Sequence, residues 1–365
     1  MFCYIHIPFC ENRCKYCRFA SFWISQDIKV EDYTKYLLSE IKNTLIFEKT
    51  DKILNKQKDK LKSIYLWGWT PSILNLVQLK QIFLNLKQKF VFDYNIEITL
   101  ETTPNQISLE KIITWQELWI NRISIWVQTL NKKSLKEIWR EEKWDILEWL
   151  NIINSLSNNN FTISIDFIIW LPYVKLWEIK ENIKLILDKY DFITHISVYM
   201  LEDQYYPKTW KNLWIKEDEY LWEYIEIKKF LGKRWFFSYE ISNFAKSWYE
   251  CKHNKAYWNH SEMLAFWLWS HWFLNGYRYE NFGNFKDYYK QVLKNTQKLN
   301  KNDIFLEKLM FWLRTKWLEK NIFGVLNQQK IRDFVAWKYL KFENNLLKIE
   351  DKWILVIDYI LSEII

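Results

Sequence analysis

The sequence predicts an α/β protein in which a partial barrel of strands and helices is followed by a smaller α+β region. Short β-rich runs alternate with longer stretches that have the apolar spacing of helices. Chemically distinctive residues follow these runs, at the place where parallel α/β folds collect their functional groups. Together the two observations predict a partial (β/α)6 barrel with its site at the carboxyl ends of the strands.

The amino-terminal region contains six β-rich runs. They are Phe2–Ile7, Ser63–Leu66, Ile96–Leu100, Arg122–Ile125, Ile163–Ile169 and His195–Tyr199. Strands that are joined by helical stretches of this length run parallel to one another. The residues that end or follow the first five runs are Cys10, Gly68 with Thr70, Glu101, Gln128 and Trp170. We therefore expect these side chains to gather at one end of the barrel.

The pattern changes near residue 210, so we divide the chain into domains of residues 1–210 and 211–365. The second region contains a dense aromatic and histidine segment, two helical stretches and a lysine-rich tail that resembles a winged-helix module. Its predicted elements are a helix over Glu217–Leu231, a strand over Phe236–Ile241 and a hairpin around Leu346–Val356.

The chain shows no signal for a membrane or for export. It lacks a run of roughly 18 apolar residues, which a membrane-spanning helix needs. It also opens without the basic and apolar regions of a signal peptide. Its five cysteines, an odd number, fit a reducing compartment. We expect a soluble, cytoplasmic protein.

Three cysteines, Cys10, Cys14 and Cys17, form a C-x3-C-x2-C pattern just after the first predicted strand. Thiolates with this spacing can surround one corner of a small cluster, but they are too few to close a fourth position. This is the ligand set of a [4Fe–4S] cluster with one open iron.

Zinc is the alternative metal, because four candidate tetrahedral ligands occur together: Cys3, His6, Cys10 and Cys14. The alternating apolar run Phe2–Ile7 nevertheless indicates a buried strand, on which Cys3 and His6 point away from the later cysteines. A disulfide is disfavoured because nothing marks the chain for export. We therefore prefer the iron–sulfur cluster and expect His6 to be structural.

The numbers of glycine and tryptophan are abnormal. The chain has 5 glycines and 24 tryptophans, whereas average usage would give roughly 26 glycines. Tryptophan also occupies turns and loop entries, as in Leu66-Trp-Gly-Trp-Thr-Pro71 and Trp170-Leu-Pro172, where glycine is usually needed. One hypothesis is that a codon read here as tryptophan means glycine in the source organism.

The other hypothesis takes the tryptophans literally. A Trp-rich chain with a net charge of +8 could stack bases on a basic surface, as single-strand nucleic-acid binders do. We favour the codon hypothesis, because the positions match the conformational preferences of glycine and show no stacking periodicity. The abundance of Lys, Asn and Ile then reflects an AT-rich genome more than a phosphate-binding face.

Five segments carry a family resemblance, in the same order along the chain. They are Tyr4-Ile-His-Ile-Pro-Phe-Cys10 with Cys14 and Cys17, Tyr65-Leu-Trp-Gly-Trp-Thr-Pro-Ser72, Arg122-Ile-Ser-Ile-Trp-Val-Gln128, Asp166-Phe-Ile-Ile-Trp-Leu-Pro172, and Tyr239–Ala245 with Cys251–Trp258. They resemble the cysteine motif, GGGTPS, RISxGVQ, DxxxGLP and YEISNFA…CxHNxxYW of radical S-adenosylmethionine (SAM) enzymes of the oxygen-independent coproporphyrinogen oxidase branch. Tryptophan replaces glycine in these motifs, whereas Trp258 matches a tryptophan of the family.

The resemblance implies a [4Fe–4S] cluster and SAM. The cluster would be held by the three cysteines of the C-x3-C-x2-C motif, and SAM would bind its open iron. Tyr4 and Tyr16 would line the cluster loop. The backbone at Gly68, Trp69 and Thr70 would meet the methionine amine of SAM, so bulk at this turn is hard to accommodate.

Four polar residues would hold the amine, ribose and carboxylate of SAM, and they are Glu101, Gln128, Arg140 and Asp166. Taken alone, Glu101 and Arg140 also fit surface salt bridges. Asp166 is harder to explain in that way, because a carboxylate within an apolar strand needs a buried partner.

Phe19 distinguishes two functions within the family. Porphyrinogen-decarboxylating members have a further cysteine at this position and a longer amino-terminal segment. This chain resembles instead the HemW-type branch, whose members bind haem and deliver it to acceptor proteins. The resemblance implies haem, acceptor proteins and an electron donor for the cluster as partners. From composition and the lack of a long apolar run, we expect no nucleic acid among the partners and no integral membrane segment, and a homodimer stays open.

The HNxxYW motif makes His253 the candidate axial ligand of haem. A hydrogen-bonded histidine that anchors the carboxyl-terminal region is the structural alternative. Two functions therefore stay open, a haem chaperone and an oxygen-independent coproporphyrinogen III dehydrogenase that removes two propionate carboxyls. Whether the chain is an enzyme is open as well, and we assign no catalytic residue.

Overall fold

The computed structural model describes most of the chain. The residues that it describes are 1–10, 13–17, 22–23, 29–43, 60–68, 70–140, 145–156, 161–201, 217–290, 293–315, 318–319, 326–343 and 346–365. Phe19, Trp69 and the predicted domain boundary lie outside these ranges, as does most of the lysine-rich stretch before Leu61.

The described strands and helices are named in chain order. The strands are β1 (Phe2–Ile7), β2 (Phe9–Cys10), β3 (Phe22–Trp23), β4 (Leu61–Gly68), β5 (Phe92–Thr102), β6 (Arg122–Gln128), β7 (Thr162–Ile169), β8 (Ile193–Met200), β9 (Phe237–Ser238), β10 (Asn243–Ala245), β11 (Met263–Phe266), β12 (His271–Leu274), β13 (Tyr277–Asn281), β14 (Leu293–Lys298), β15 (Leu318–Glu319), β16 (Leu340–Glu343) and β17 (Leu346–Ile349). The helices are α1 (Val30–Lys42), α2 (Leu76–Lys89), α3 (Leu109–Glu117), α4 (Lys132–Glu137), α5 (Ile146–Ser155), α6 (Glu178–Lys189), α7 (Glu217–Lys233), α8 (Lys252–Trp258), α9 (Phe285–Lys290), α10 (Lys301–Thr315), α11 (Gln328–Ala336) and α12 (Ile357–Ile364).

A nine-stranded sheet with the order β11-β1-β4-β5-β6-β7-β8-β10-β9 forms the centre of the fold. The neighbours from β11 to β8 are parallel, and β10 and β9 then continue the sheet in antiparallel fashion. All six predicted strands are confirmed, and so is the α/β class with its parallel core. Helices separate the parallel strands because each crossover must return the chain to the same edge.

The two faces of this sheet differ because side chains alternate along a strand. One face carries aliphatic residues such as Ile64 and Ile165, which are fully buried in the main core. The other face is polar: Ser124 donates a hydrogen bond to Asp166 on the neighbouring strand (2.7 Å). The polar face lines the inside of the partial barrel, and it supplies the side chains of the candidate site.

Side-chain caps explain where several helices begin. The Asn75 carboxamide oxygen accepts from the Gln78 backbone N–H (2.8 Å), and the Gln78 side chain accepts from the Asn75 backbone N–H (2.9 Å). This reciprocal capping box satisfies two donors that the first turn of α2 leaves open. Single caps start α3, α4, α5 and α11 at Ser108, Asn131, Asp145 and Asn327.

The carboxyl-terminal region adds two three-stranded antiparallel sheets, β12-β13-β14 and β15-β17-β16. The second packs with α11 and α12 around a separate small core that includes Phe334, Leu347 and Ile360. This arrangement of helices and a small sheet matches the predicted winged-helix-like tail.

Two predicted elements of this region differ in detail. The strand expected over Phe236–Ile241 is replaced by β9 and β10, because the chain reverses between them and the Glu240 carboxylate accepts from the Ser242 N–H (2.7 Å). The hairpin expected around Leu346–Val356 is formed instead by β16 and β17. Residues 351–356 form a 3-10 helix in which the Trp353 ring packs on Tyr339 (4.0 Å between centroids).

Within the described ranges, none of the helices combines the length and the apolar character that crossing a bilayer requires.

Tryptophan dominates the residues with left-handed backbone. Among the described residues, thirteen that are not glycine have positive φ, and eight of these are tryptophan. They are Trp119, Trp139, Trp170, Trp177, Trp235, Trp248, Trp267 and Trp269. A bulky residue seldom adopts this conformation, because its Cβ collides with the backbone. These tryptophans therefore stand in backbone conformations that are typical of glycine.

Candidate functional site

The cysteine loop follows β1 directly. The Cys10 Sγ lies 3.4 Å from the Thr70 Oγ1, and the Cys17 N–H donates to the Cys14 carbonyl (3.0 Å). None of the three forms a disulfide within the described residues, and all three are partly exposed. Among the described residues, no three Cys, His, Asp or Glu side chains converge closely enough to hold a metal ion.

The two other candidate zinc ligands lie away from this loop. Cys3 is fully buried in the main core, on the other face of β1. His6 stacks on Trp267, with 3.6 Å between ring centroids, and its Nδ1 lies 2.7 Å from the Tyr4 hydroxyl. These contacts match the structural role expected for His6.

The turn after β4 packs against the start of the cysteine loop. Gly68 has φ +132°, and a Cβ there would overlap the Ile7 carbonyl oxygen. The Thr70 N–H donates to the Phe9 carbonyl (3.1 Å). Glycine is therefore required at residue 68, where two backbones meet beside the cysteines.

Two buried carboxylates lie on the polar face, Glu101 on β5 and Asp166 on β7, with β6 between them. Glu101 accepts at Oε1 from the Tyr65 hydroxyl (2.8 Å), while its Oε2 has no hydrogen-bond partner among the described residues. Asp166 accepts from Ser124 (2.7 Å) and Ser164 (3.0 Å). Burial raises the pKa of both carboxyls, and the Asp166 charge raises the pKa of Glu101 further. A bound cation would relieve both effects.

Gln128, the last residue of β6, and Arg140, which follows α4, meet the cysteine loop. A bulge between Trp126 and Gln128 gives Gln128 a φ of 67°, and such bulges re-aim side chains at functional sites. The Gln128 amide donates to the Tyr16 hydroxyl, and its Oε1 has no hydrogen-bond partner among the described residues. Burial raises the pKa of the Cys14 thiol, and the nearby Arg140 guanidinium offsets part of this increase. Arg140 also donates to the Trp126 carbonyl.

These positions decide the alternatives that the sequence left open. Glu101 is 2% exposed and Arg140 is 9% exposed, so both side chains are buried and neither lies on the surface. The structure brings Cys10, Cys14 and Thr70 to one end of the barrel, and Gln128 and Arg140 reach the same loop.

Three tryptophans crowd the polar interior. The Trp67 ring lies 5.7 Å from Tyr4 and 5.4 Å from His6, between centroids. Trp126 is stacked on Tyr199 at 5.5 Å. The Trp170 ring overlaps that of Tyr220. Trp67 and Trp126 thus lie close to neighbouring aromatic rings inside the barrel.

His253 lies in the first turn of α8, docked against the barrel strands. Its Nδ1 is 2.8 Å from the Ser63 Oγ, and its backbone N–H donates to the Glu97 carboxylate (3.1 Å). Burial lowers the pKa of His253 to about 3, so the imidazole is neutral at physiological pH. With Nδ1 engaged by Ser63, Nε2 is the nitrogen available to a ligand.

A cavity of about 480 Å³ joins His253 to the barrel interior. It is lined on the barrel side by Tyr4, Tyr65 and Glu101, and on the other side by His253 and Tyr257. This volume falls within the range of small-molecule and cofactor sites. The candidate SAM residue Glu101 and the candidate haem ligand therefore share one cavity.

Sequence reasoning missed Ser63 and Glu97, which hold the helix that carries His253. The two are register partners on β4 and β5. Glu97 also accepts from the Lys252 N–H (2.9 Å) and the Cys251 thiol (3.3 Å). One signal was present in the sequence. Glu97 and Glu101 are four positions apart on the same strand, and side chains an even number of positions apart lie on the same face.

Comparison with known proteins agrees with this geometry. A family model for the radical SAM superfamily matches residues 4–186. The heme chaperone HemW of Bacillus subtilis is 33% identical over 300 residues, which cover 78% of this chain and 74% of that protein. The HemW of Buchnera aphidicola subsp. Acyrthosiphon pisum is 30% identical over 272 residues, with coverage of 73% and 69%. The chain belongs to the radical SAM superfamily and to its HemW family.

The fold of this HemW-family chain is shared with a solved structure. Coproporphyrinogen III oxidase (HemN) from Escherichia coli matches with a TM-score of 0.79 at 17% identity, covering 99% of this chain and 89% of HemN. The likeness confirms the fold class that the sequence predicts.

Membership of the radical SAM superfamily implies a [4Fe–4S] cluster and SAM, and the residues present fit both groups. Three partly exposed cysteines, none of them in a disulfide within the described residues, form the cluster motif. Within the described part of the chain, the buried Glu101 Oε2 and Gln128 Oε1 lack partners. Buried polar atoms are rarely left unpaired unless a ligand or water completes them. The indoles at Trp67 and Trp126 are the part of the site that opposes a ligand, since they fill positions where the motifs have glycine.

Proposed function

We propose that this chain is a haem chaperone, a protein that binds haem and transfers it to acceptor proteins while keeping a radical-SAM cluster. The observation that carries the proposal is the neutral, oriented imidazole of His253 in the cavity that Glu101 also lines. The name heme chaperone that several relatives bear supports it. Neutral imidazole is the form that ligates haem iron.

In this proposal Cys10, Cys14 and Cys17 ligate the cluster. When bound, the cluster and SAM supply one-electron chemistry at a carbon–sulfur bond. Tyr16, within the cysteine loop, accepts a hydrogen bond from the Gln128 amide of the barrel, and Tyr4 lines the cavity. These residues keep the cluster loop packed on the barrel.

Each candidate SAM residue is assigned to the chemical group of SAM with which it can form a hydrogen bond or an ion pair. The backbone at Gly68, Trp69 and Thr70 would meet the methionine amine. Glu101 and Asp166 offer buried anionic oxygen to the amine and ribose, and Gln128 and Arg140 offer an amide and a guanidinium. The unpartnered Glu101 Oε2 is the strongest single support for these roles.

The remaining assignments follow from this function. We propose a cytoplasmic protein that needs an electron donor for its cluster and acceptor proteins for its haem, and that binds no nucleic acid. We also keep the division into residues 1–210 and 211–365. The match of the family model to residues 4–186 supports the first of these domains.

The test is haem titration of the full chain, purified and reconstituted without oxygen. It is run on the printed chain and on a form with Trp67→Gly and Trp126→Gly, so that crowding in the pocket is not mistaken for lack of function. We expect one haem per chain and a histidine-type absorption spectrum. His253→Ala should abolish both, while His260→Ala, which changes a histidine that does not line the cavity, should not.

The competing enzyme function is tested with the same protein. Coproporphyrinogen III is supplied anaerobically with SAM and a reductant, and the products are analysed for loss of two carboxyl groups. A haem chaperone gives no protoporphyrinogen IX. Catalytic formation of that product, or haem binding that His253→Ala leaves intact, contradicts the proposal.

A further inference from the structure

The cavity that contains His253 has a guanidinium and a second imidazole on its wall as well as buried acids. Arg314 of α10 and His271 of β12 both line it. The two acids on the wall, Glu101 and Glu240, are buried, and burial raises the pKa of each. Among the described lining residues, Arg314 is the one guanidinium, and it stays charged at every physiological pH.

His253 lies near the first residue of α8, and Arg314 of α10 lies beside the last residue of α8. His253 is in the first turn and is 5% exposed, whereas Tyr257 in the last turn is 50% exposed. The Arg314 guanidinium carbon lies 5.9 Å from the ring centroid of Trp258, the last residue of the helix. The rise from His253 to Trp258 is about 7.5 Å along the axis. The imidazole is thus at the deep end and the guanidinium at the outer end.

Arg314 already pairs with Asp358 of α12, but this pair does not prevent ligand binding. Its carboxylate partner is 74% exposed, and exposed ion pairs contribute little to stability because water and salt screen them. The pair uses one Nη, and a guanidinium has five N–H donors. A carboxylate of a ligand could share or replace Asp358 at small cost.

We propose that Arg314, with His271 on the same cavity wall, binds the carboxylate edge of haem, so that the two propionates face outward and the iron faces His253. The assignment rests on the proposed haem function. Haem is an apolar macrocycle with two carboxylates on one edge. The cavity matches this shape, because the neutral His253 imidazole lies deep inside it and the Arg314 guanidinium lies at its opening. Charge-assisted bonds from arginine to carboxylate are the strong ones.

The test compares haem with haem dimethyl ester, in which both propionates are uncharged. Affinities of the full chain are measured for Arg314→Ala, for Arg314→Lys and for the control Lys308→Ala, which removes a cation of the same helix that does not line the cavity. Arg314→Ala should weaken haem binding about tenfold or more and change ester binding less than twofold. Arg314→Lys should recover most of the loss, and Lys308→Ala should change neither ligand.

The outcomes separate this assignment from the function on which it rests. Equal weakening of haem and ester by Arg314→Ala would show that Arg314 only supports the fold, and it would overturn the assignment alone. Unchanged haem affinity in Arg314→Ala would do the same. If the parent chain binds neither haem nor ester, the proposed function fails and the assignment fails with it.

Discussion

Ser63 and His253 are 190 positions apart, yet the Ser63 Oγ lies 2.8 Å from the His253 Nδ1 in the buried interior. The bond joins the amino-terminal part of β4 to the first turn of α8. It fixes the orientation of the imidazole and selects Nε2 as its free nitrogen. Partners of this kind also position histidines that bind metals, and their loss typically weakens metal binding 10- to 100-fold.

Replacing Ser63 by alanine should therefore affect both stability and haem binding. Nδ1 would lose its partner in a buried site, which costs about 1–3 kcal/mol of the free energy of unfolding. Haem affinity should fall about tenfold or more. Denaturant unfolding and haem titration measure the two effects. Ser134→Ala is the matched control, because the buried Ser134 hydroxyl has no hydrogen-bond partner in the described part of the chain. A stability loss with unchanged haem affinity would contradict the positioning role.

Glu97 is expected to be the main anchor of α8 on the sheet. Its carboxylate accepts from the Lys252 and His253 N–H groups, which the first turn of a helix leaves without partners. Glu97→Ala should lower the free energy of unfolding by about 3–6 kcal/mol, since both backbone hydrogen bonds to the carboxylate are lost. The exposed Glu117, changed to alanine, is the control and should cost less than about 1 kcal/mol. Amide hydrogen exchange gives a second readout, because α8 should lose protection in the Glu97 variant before the barrel strands do.

Glu40 should make stability fall as the pH rises toward neutrality. Its side chain, buried in α1, accepts from the Asn281 amide (2.9 Å) and the Tyr288 hydroxyl (2.5 Å), and burial raises its pKa to about 7. Between pH 4.5 and 7 the folded chain therefore binds more protons at Glu40 than the unfolded chain does. Linkage then gives a loss of up to about 1.4 kcal/mol per pH unit in this window.

Comparison of the parent with Glu40→Gln isolates this effect from other groups. The lowered pKa of His253 acts in the opposite direction, since that residue is protonated only in the unfolded chain between about pH 3 and 6.5. As the pH rises from 4.5 to 7, the free energy of unfolding of the parent should fall relative to that of Glu40→Gln. A difference that does not vary with pH would mean that Glu40 is ionised in the folded protein.

The sequence predicts the barrel and part of the site for a local reason. Strand periodicity places Glu101 and Gln128 at strand ends, and the position of Cys10 follows from the run before it. Ser63 and Glu97 were missed because their roles depend on α8, which docks from the other end of the chain. The split of Phe236–Ile241 into β9 and β10 combines a local turn at Glu240 with the pairing of β10 to the distant β8, and strand periodicity alone reveals neither.

The intact mass of the protein from its native source is the last prediction. Eight tryptophans at positive φ would cost about 1–2 kcal/mol each, or about 8–16 kcal/mol together, which is as large as the whole stability of a typical domain. Glycine has no such cost. If these positions and the motif positions Trp67 and Trp126 are glycine, the mass falls well below the 45.5 kDa of the printed chain. Peptide mapping should then show tryptophan retained at Trp258, where the family motif has it. A mass of 45.5 kDa would refute the codon hypothesis and would require the strained turns to be stabilised by contacts elsewhere in the fold.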